Sequence, residues 1–192
     1  MANDNLEFVY PIDKDIELCV PDEYDVEEVH ALVMESLPQL KPWLPWASED
    51  HSLEDASNYI EQNFRRFASG QAFAAHLMFR GQIAGSIGYN TISWEDRKGE
   101  IGYWLGTPFQ GRGLMTKACG AWIDHAFNQI NLNRIEIRCA VDNHRSRKIP
   151  KRLGFKEEGV LRQAEWVHDH FHDLVLYSLL ASEWQTINGS AM

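Results

Sequence analysis

Apolar residues recur at helical spacing over Val26, Val29, Leu32 and Val33, which predicts a first helix from about Asp22 to Leu37. The segment Pro38 to Trp46 is too interrupted by proline for a helix, and with Trp43, Leu44 and Trp46 it is too apolar for an idle loop. Ser52-Leu53-Glu54-Asp55 then reads as a capping box with Asp in place of Glu. The helix it opens has Ala56, Ile60, Phe64 and Phe67 as its apolar face and Gly70 as a C-terminal stop.

Strand patterns follow. Phe73 to Phe79 and Gln82 to Tyr89 flank Arg80-Gly81, a hairpin signal, and Glu100 to Leu105 forms a third strand. A helix from Leu114 to about Asn128 leads to an alternating strand, Arg134 to Val141, and a short helix ends at Leu153-Gly154-Phe155. Strands at about Leu161–Val167 and Asp173–Leu180 close the order. Helix, helix, three antiparallel-type strands, helix, strand, helix, strand, strand predicts an α+β, mixed αβ fold. Residues 1–192 are expected to form a single domain, with a flexible tail from about residue 185.

Composition narrows the partners. The chain is 44% hydrophobic and has no run of about 18 apolar residues, so no membrane span is expected. Met1 to Asn5 is polar and acidic, unlike a signal peptide. Three widely spaced cysteines, Cys19, Cys119 and Cys139, suit reduced thiols in a cytoplasm, with Cys139 reading as core rather than nucleophile. A net charge of −10 argues against nucleic acid and suits a cationic partner. Residues 145–152 are nevertheless basic, Arg-Ser-Arg-Lys-Ile-Pro-Lys-Arg. A nucleic-acid patch is one reading of this island; a local counter-charge for a phosphorylated ligand is the better one.

That ligand is suggested by Gln110-Gly111-Arg112-Gly113-Leu114-Met115-Thr116. A glycine-rich turn opening a helix gathers backbone N–H groups at the positive end of the helix dipole, which suits phosphate. The P-loop would need four residues between its glycines, and only Arg112 separates Gly111 from Gly113. The dinucleotide fingerprint would need a third glycine where Thr116 stands. On the local signal alone, a plain connection between strand and helix remains the alternative.

Preceded by Ile101-Gly102-Tyr103-Trp104-Leu105, this turn resembles the signature of the GNAT superfamily of acetyl-CoA-dependent N-acetyltransferases, Gln/Arg-x-x-Gly-x-Gly/Ala. Gln110 and Gly113 meet it, and Met115 departs from its small last residue. Trp43-Leu44-Pro45-Trp46, Asp142-Asn143-His144-Arg145-Ser146, Arg152-Leu153-Gly154-Phe155-Lys156-Glu157-Glu158-Gly159 and Tyr177-Ser178-Leu179-Leu180 extend the resemblance to the Rim-type ribosomal-protein N-terminal acetyltransferases, over nearly the whole chain. The resemblance implies a central twisted, mostly antiparallel sheet flanked by helices, with a splayed strand pair as the CoA cleft. It implies acetyl-CoA as co-substrate, no metal, and a homodimer. The pyrophosphate would lie on the amides of Gly111, Arg112, Gly113, Leu114, Met115 and Thr116, beside Gln110. The pantetheine arm would run past Tyr103, Trp104 and Leu105, with a backbone N–H near Trp104 or Leu105 polarising the thioester carbonyl.

The resemblance also implies roles to weigh against plainer ones. Ser146 would give a proton to the departing thiolate, or be a helix N-cap. Asn143 would bind the pantetheine amides, or merely end its strand. Glu100 would be the general base, acting through water, or a solvated strand-end carboxylate. Tyr103 is an alternative proton donor or a core ring. Trp43, Trp46 and Trp94 would line the acceptor cleft, or pack in the core. One or two of Arg145, Arg147, Lys148, Lys151 and Arg152, with Arg147 among them, would hold cofactor phosphates, the rest being solvated. His168-Asp169-His170-Phe171-His172-Asp173 is spaced for a divalent metal on one strand face, but reads better as an exposed polar hairpin turn. The expected activity is direct acetyl transfer in a ternary complex to a primary amine, the N-terminal α-amine of a ribosomal protein. An α-amine with pKa near 8 is easier to deprotonate than lysine. A small amine (polyamine, amino acid or antibiotic) is the alternative acceptor, and a non-catalytic CoA-binding regulatory module is the rival of a different class.

Overall fold

In a computed structural model, residues 9–69 and 73–189 are described. Gly70, the expected stop of the second helix, lies outside them. Eight strands form one sheet in the order β1-β2-β3-β4-β5-β6-β8-β7. They are β1 (Val9–Pro11), β2 (Ile16–Cys19), β3 (Ala74–Phe79), β4 (Gln82–Ser93), β5 (Lys98–Leu105), β6 (Arg134–Ala140), β7 (Lys156–Val167) and β8 (His170–Leu180). The helices are α1 (Val26–Leu40), α2 (Leu53–Ala68), α3 (Leu114–Asp124), α4 (His144–Arg152) and α5 (Ala181–Gly189). This is the expected α+β class. No helix among the described residues is long and apolar enough to cross a membrane.

Local chemistry explains most elements. Ser52 and Asp55 close the capping box of α2 from both sides. Arg80 and Gly81 both adopt positive φ, 54° and 77°, as a two-residue hairpin turn requires. β4 is buried from Ile83 to Tyr89 because helices cover the sheet on both faces. On one side Trp122, Ile123 and Cys119 of α3 pack on Ile87, Ile101 and Ile135. A separate cluster joins Val29, Leu32 and Val33 of α1 to Ala56 and Ile60 of α2.

Two expectations are corrected. α1 runs on through Pro38 to Leu40, because Leu37 and Leu40 bury against Ala47 and hold the last turn. Phe64, placed on the apolar face of α2, is 46% exposed; the buried face is Ala56, Ile60 and Asn63. The helix α5 includes Trp184, which is buried and whose Nε1 donates to Asp124 Oδ1 at 2.6 Å. The two short strands β1 and β2 were not anticipated.

The functional consequence lies between β5 and β6. Every neighbouring pair is antiparallel except this one, which is parallel. Its pairing spans only Lys98↔Arg134, Gly99↔Ile135 and Glu100↔Glu136. Beyond that rung Ile101–Leu105 stays on β4 and Ile137–Ala140 stays on β8, and the strands part. At this level Asn90 forms a bulge in β4, between Tyr89↔Ile101 and Thr91↔Glu100. A bulge bends and twists the strand pair it interrupts, which turns β5 away from β6.

The docking of α5 is testable. Trp184→Ala should destabilise the fold by about 3–5 kcal/mol and Trp184→Phe, which loses only the hydrogen bond, by about 1–2 kcal/mol, read from urea unfolding midpoints. A tail that did not pack would leave both variants at the parent midpoint.

Candidate active site

Two cavities open into the splay and share walls. One, of about 620 Å³, is lined by Gln110, Gly111, Gly113, Leu114, Met115 and Thr116, with Arg145, Lys148 and Arg152 of α4. The other, of about 1000 Å³, is lined by Trp43, Trp46, Asp50 and His51 of the loop after α1, by Asp55, Tyr59 and Arg66 of α2, and by Glu100 and Glu165. Tyr103, Trp104, Asn143 and Ser146 line both.

The smaller cavity is built for an anion. Gly111 and Gly113 have φ of +78° and +76°, conformations L side chains rarely adopt, and neither has a neighbour that a Cβ would strike. Gly113 is the N-cap of α3 and no side chain caps it, so first-turn amides are left for a ligand. Leu114 and Met115 bury their side chains in the core, which leaves only their backbone for that task. Gln110 is fixed by donating to Leu105 O at 3.2 Å and accepting from Arg145 Nη1 at 3.0 Å. Arg112 lies over the Phe79 ring, 5.6 Å from its centroid. Arg147 is committed elsewhere, to Val141 O at 2.6 Å, Tyr177 Oη at 3.0 Å and Glu157 at 3.6 Å. It does not line the cavity. The cations that do are Arg145, Lys148 and Arg152, on the same helix α4.

Where the cavities meet, three side chains form a cluster. Ser146 Oγ donates to Tyr103 Oη at 3.2 Å, Tyr103 Oη donates to Ser146 O at 3.2 Å, and Cys139 Sγ lies 3.1 Å from Ser146 Oγ. Burial holds the Tyr103 phenol well above its usual pKa and pushes the Cys139 thiol up as well. All three groups keep their protons at neutral pH. The N-cap of α4 is Asn143, whose Oδ1 accepts from Ser146 N at 3.1 Å, so Ser146 is not the cap and its hydroxyl faces the splay.

Carboxylates stand on the larger cavity's side. Glu100 accepts from Asn90 Nδ2 at 3.0 Å and pairs with Arg138 Nε at 3.3 Å. Gly102 makes room for that arrangement, since a Cβ there would sit 2.4 Å from Asn90 Oδ1. Glu165 on β7 was missed by motif reading, and no local pattern marks it. Its pKa is raised by burial, with the Glu100 charge adding to the effect and the His172 charge opposing it. The only signal in the chain was strand alternation, and a register shift between Leu161 and Glu165 breaks it.

Trp43 and Trp46 wall the larger cavity as expected, and Trp46 meets Trp104 edge-on at 5.9 Å. Trp94 does not join them. It sits in the β4–β5 turn, 53% exposed, and lines neither cavity. Of the His168–Asp173 segment, His168 and Asp169 form the β7–β8 turn and the rest opens β8. His168 Nε2 lies 3.0 Å from Lys41 O and His172 packs on Trp43 at 5.8 Å, so the hairpin braces the tryptophan loop. No metal-binding group of His, Cys, Asp or Glu occurs among the described residues.

Comparison with known proteins agrees with this geometry. A family model described as Acetyltransferase (GNAT) domain matches residues 16–156. YdaF of Bacillus subtilis, provisionally named a ribosomal N-acetyltransferase, is 35% identical over 93% of this chain and 98% of its own. The ribosomal-protein-serine acetyltransferase of Escherichia coli is 31% identical over 87% of this chain and 93% of its own. The solved structure of RimL, ribosomal L7/L12 α-N-protein acetyltransferase in complex with coenzyme A, has a TM-score of 0.86 at 29% identity, covering 90% of this chain and 98% of that one.

The division of labour at α4 gives a stability test. Asn143→Ala should cost about 1 kcal/mol in chemical denaturation, the usual effect of losing an N-cap. Ser146→Ala should change stability by less than half as much. Equal losses would mean that Ser146 helps cap the helix.

Proposed function

The chain belongs to the GNAT acetyltransferase family and is an acetyl-CoA-dependent N-acetyltransferase, and we propose that its acceptor is the N-terminal α-amine of a ribosomal protein, attacked directly in a ternary complex. The observation that carries this reading is the meeting of two cavities at Tyr103 and Ser146. One is an anion cradle, and the other is an open, tryptophan-walled space carrying Asp50, Asp55, Glu100 and Glu165. A volume of about 1000 Å³ exceeds what a single small amine needs and suits the first residues of a peptide. The ribosomal-protein-serine acetyltransferase and RimL act, by name, on ribosomal proteins, which supports the same acceptor class here.

The donor fits the smaller cavity. Amides of Gly111 to Thr116 hold the pyrophosphate, and of the basic residues expected to help, Arg145, Lys148 and Arg152 rather than Arg147 take the phosphate role. When bound, the co-substrate supplies the activated acetyl group; the chain's own residues place it and manage protons. The unpaired edge of β5 near Trp104 and Leu105 offers an N–H to the carbonyl oxygen, where negative charge develops. Ser146, backed by Tyr103, gives a proton to the departing sulfur. Glu165 accepts the acceptor's proton, directly or through water. Glu100 is already held by Asn90 and Arg138, so its part is to keep a negative charge beside Glu165 and favour the protonated form that base must reach. The free thiols Cys19, Cys119 and Cys139 suit a cytoplasmic setting. Trp166 and Phe171, exposed and 4.7 Å apart at the edge hairpin, suit a homodimer contact.

Incubation with acetyl-CoA and a panel of seryl and alanyl peptides, polyamines, amino acids and aminoglycosides, with thiol release as readout, tests the acceptor. Peptides should give the highest kcat/KM; a polyamine or aminoglycoside preference would overturn the reading. Loss of thiol release with every acceptor, while acetyl-CoA still raises Tm, would leave a regulatory module instead.

The roles have a separate test. Ser146→Ala and Glu165→Gln should each lower kcat by about 10²-fold while leaving the acetyl-CoA Kd within about twofold. Because the Glu165 pKa is raised, its base form is lost as pH falls through a value above the ordinary carboxylate range. The acid side of kcat/KM should therefore carry this ionisation beside that of the acceptor amine, and Glu165→Gln should remove it and leave only the amine's own. An unchanged acid side would remove Glu165 from the mechanism.

A further inference from the structure

Between α1 and the tryptophan loop, the rings of His30 and His51 lie nearly parallel, 10° apart in plane with centroids 5.4 Å apart. Their Nδ1 atoms are 3.2 Å apart. A hydrogen bond between two imidazole Nδ1 atoms needs an N–H on one ring and a lone pair on the other. The contact therefore holds with the pair carrying at most one positive charge. A second proton would set two N–H groups and two cations against each other.

This contact leads to the reaction centre. His51 lines the larger cavity and lies 6.1 Å from the Trp46 ring, which meets Trp104 edge-on. Trp104 in turn lines both cavities. The series His30, His51, Trp46, Trp104 thus ties α1 through the loop to the strand at the transfer point. Spaced 21 residues apart, the two histidines show no motif in the chain.

We propose that His51, held by its hydrogen bond to His30, is a positioning residue for the acceptor: the pair fixes the cavity wall carried by the Trp43–His51 loop, and uptake of a second proton by the pair releases that wall and weakens acceptor binding. The charged groups around the pair permit this. α1 contributes His30 itself, the loop contributes Asp50, and α2 contributes Asp55 with the buried, neutral phenol of Tyr59. Asp55 favours protonation, but its Oδ2 is anchored by Ser52 N and Ser52 Oγ, both at 2.8 Å, and stays within the capping box. Burial first, and the His30 charge second, lower the His51 pKa against the pull of Asp55. The contact itself, which needs one bare Nδ1, therefore opposes a second proton on the pair.

The inference rests on the larger cavity being the acceptor site, and two measurements separate the failures. The first is inhibition by a peptide beginning with N-acetylserine, whose blocked amine does not titrate, measured between pH 7.5 and 5.5 at saturating acetyl-CoA. Its inhibition constant should rise about 5- to 10-fold for the parent protein. His30→Asn, which offers His51 either a donor or an acceptor, should keep tight inhibition and flatten the pH dependence. His30→Leu should inhibit weakly at every pH, with the acetyl-CoA Kd unchanged. A flat parent profile, a parent-like slope in His30→Asn, or parent-like inhibition in His30→Leu would each overturn the positioning role. No inhibition at any pH would sink the acceptor site itself. The second measurement, the NMR titration of both imidazole rings, needs no acceptor: one ring should stay neutral while the other titrates, and two independent titrations near pH 6.5 would sink the paired latch alone.

Discussion

The structure depends on how one rung of the sheet is held. Glu100 and Glu136 face each other at the last paired position of β5 and β6. Two carboxylates at that spacing would repel, and Glu136 is buried. Arg138 sits between them, 3.3 Å from Glu100 and 3.5 Å from Glu136, while Arg134 reaches Glu136 at 2.8 Å. Removing one partner of such a buried set would leave an uncompensated charge, so the network fixes where pairing must end. The Asn90 bulge lies at the same level on the opposite edge of β5, and its side chain is tied to Glu100. Clamp and bulge together set the depth of the cleft.

Everything chemical is arranged around that depth. β5 carries Tyr103 and Trp104 past the rung, and the turn after it delivers α3 with its first amides free of side-chain caps. β6 ends at Ala140, and Asn143 caps α4 so that Ser146 rises beside Tyr103. Strand order alone therefore brings the glycine-rich turn and the Tyr103–Ser146 pair to one gap. The long hairpin of β7 and β8 then folds Glu165 over the gap and braces the Trp43 loop with His168 and His172.

Much of this was legible in the chain because it rests on local chemistry. The capping box at Ser52, the Arg80-Gly81 hairpin and the Gly111–Gly113 turn each follow from a few neighbouring residues. The errors share a different cause. Pro38 stays helical, Phe64 points outward and Trp184 anchors a last helix because of tertiary packing that no short window contains. Arg147 and Trp94 were assigned by proximity in sequence, and the side chains turn to other partners or to solvent. Glu165 and the His30–His51 pair arise only when strands and loops distant in sequence meet. The smaller cavity was thus readable, since a glycine turn and a helix start make it. The larger one is assembled from α1, α2, a loop and β7, and only Trp43 and Trp46 of that loop, with Glu100, marked it in the chain.

The cysteine beside Ser146 bears on the choice between direct transfer and a covalent acetyl-enzyme. A thiol 3.1 Å from the proposed proton donor is well placed to take the acetyl group, but only as thiolate. Burial raises the Cys139 pKa, and the opposing hydrogen bonds from Ser146 and Tyr103 and the Arg147 charge do not reverse the shift. Cys119, fully buried behind it, is raised further by the same cause. Tyr103 shares that apolar surrounding and is likewise kept protonated. A pocket that holds every nearby acid in its neutral form cannot readily generate a nucleophile of its own, yet it is suited to protonating a departing thiolate. On the proposed reading the attacking electrons then come from the amine, with both cavities filled together.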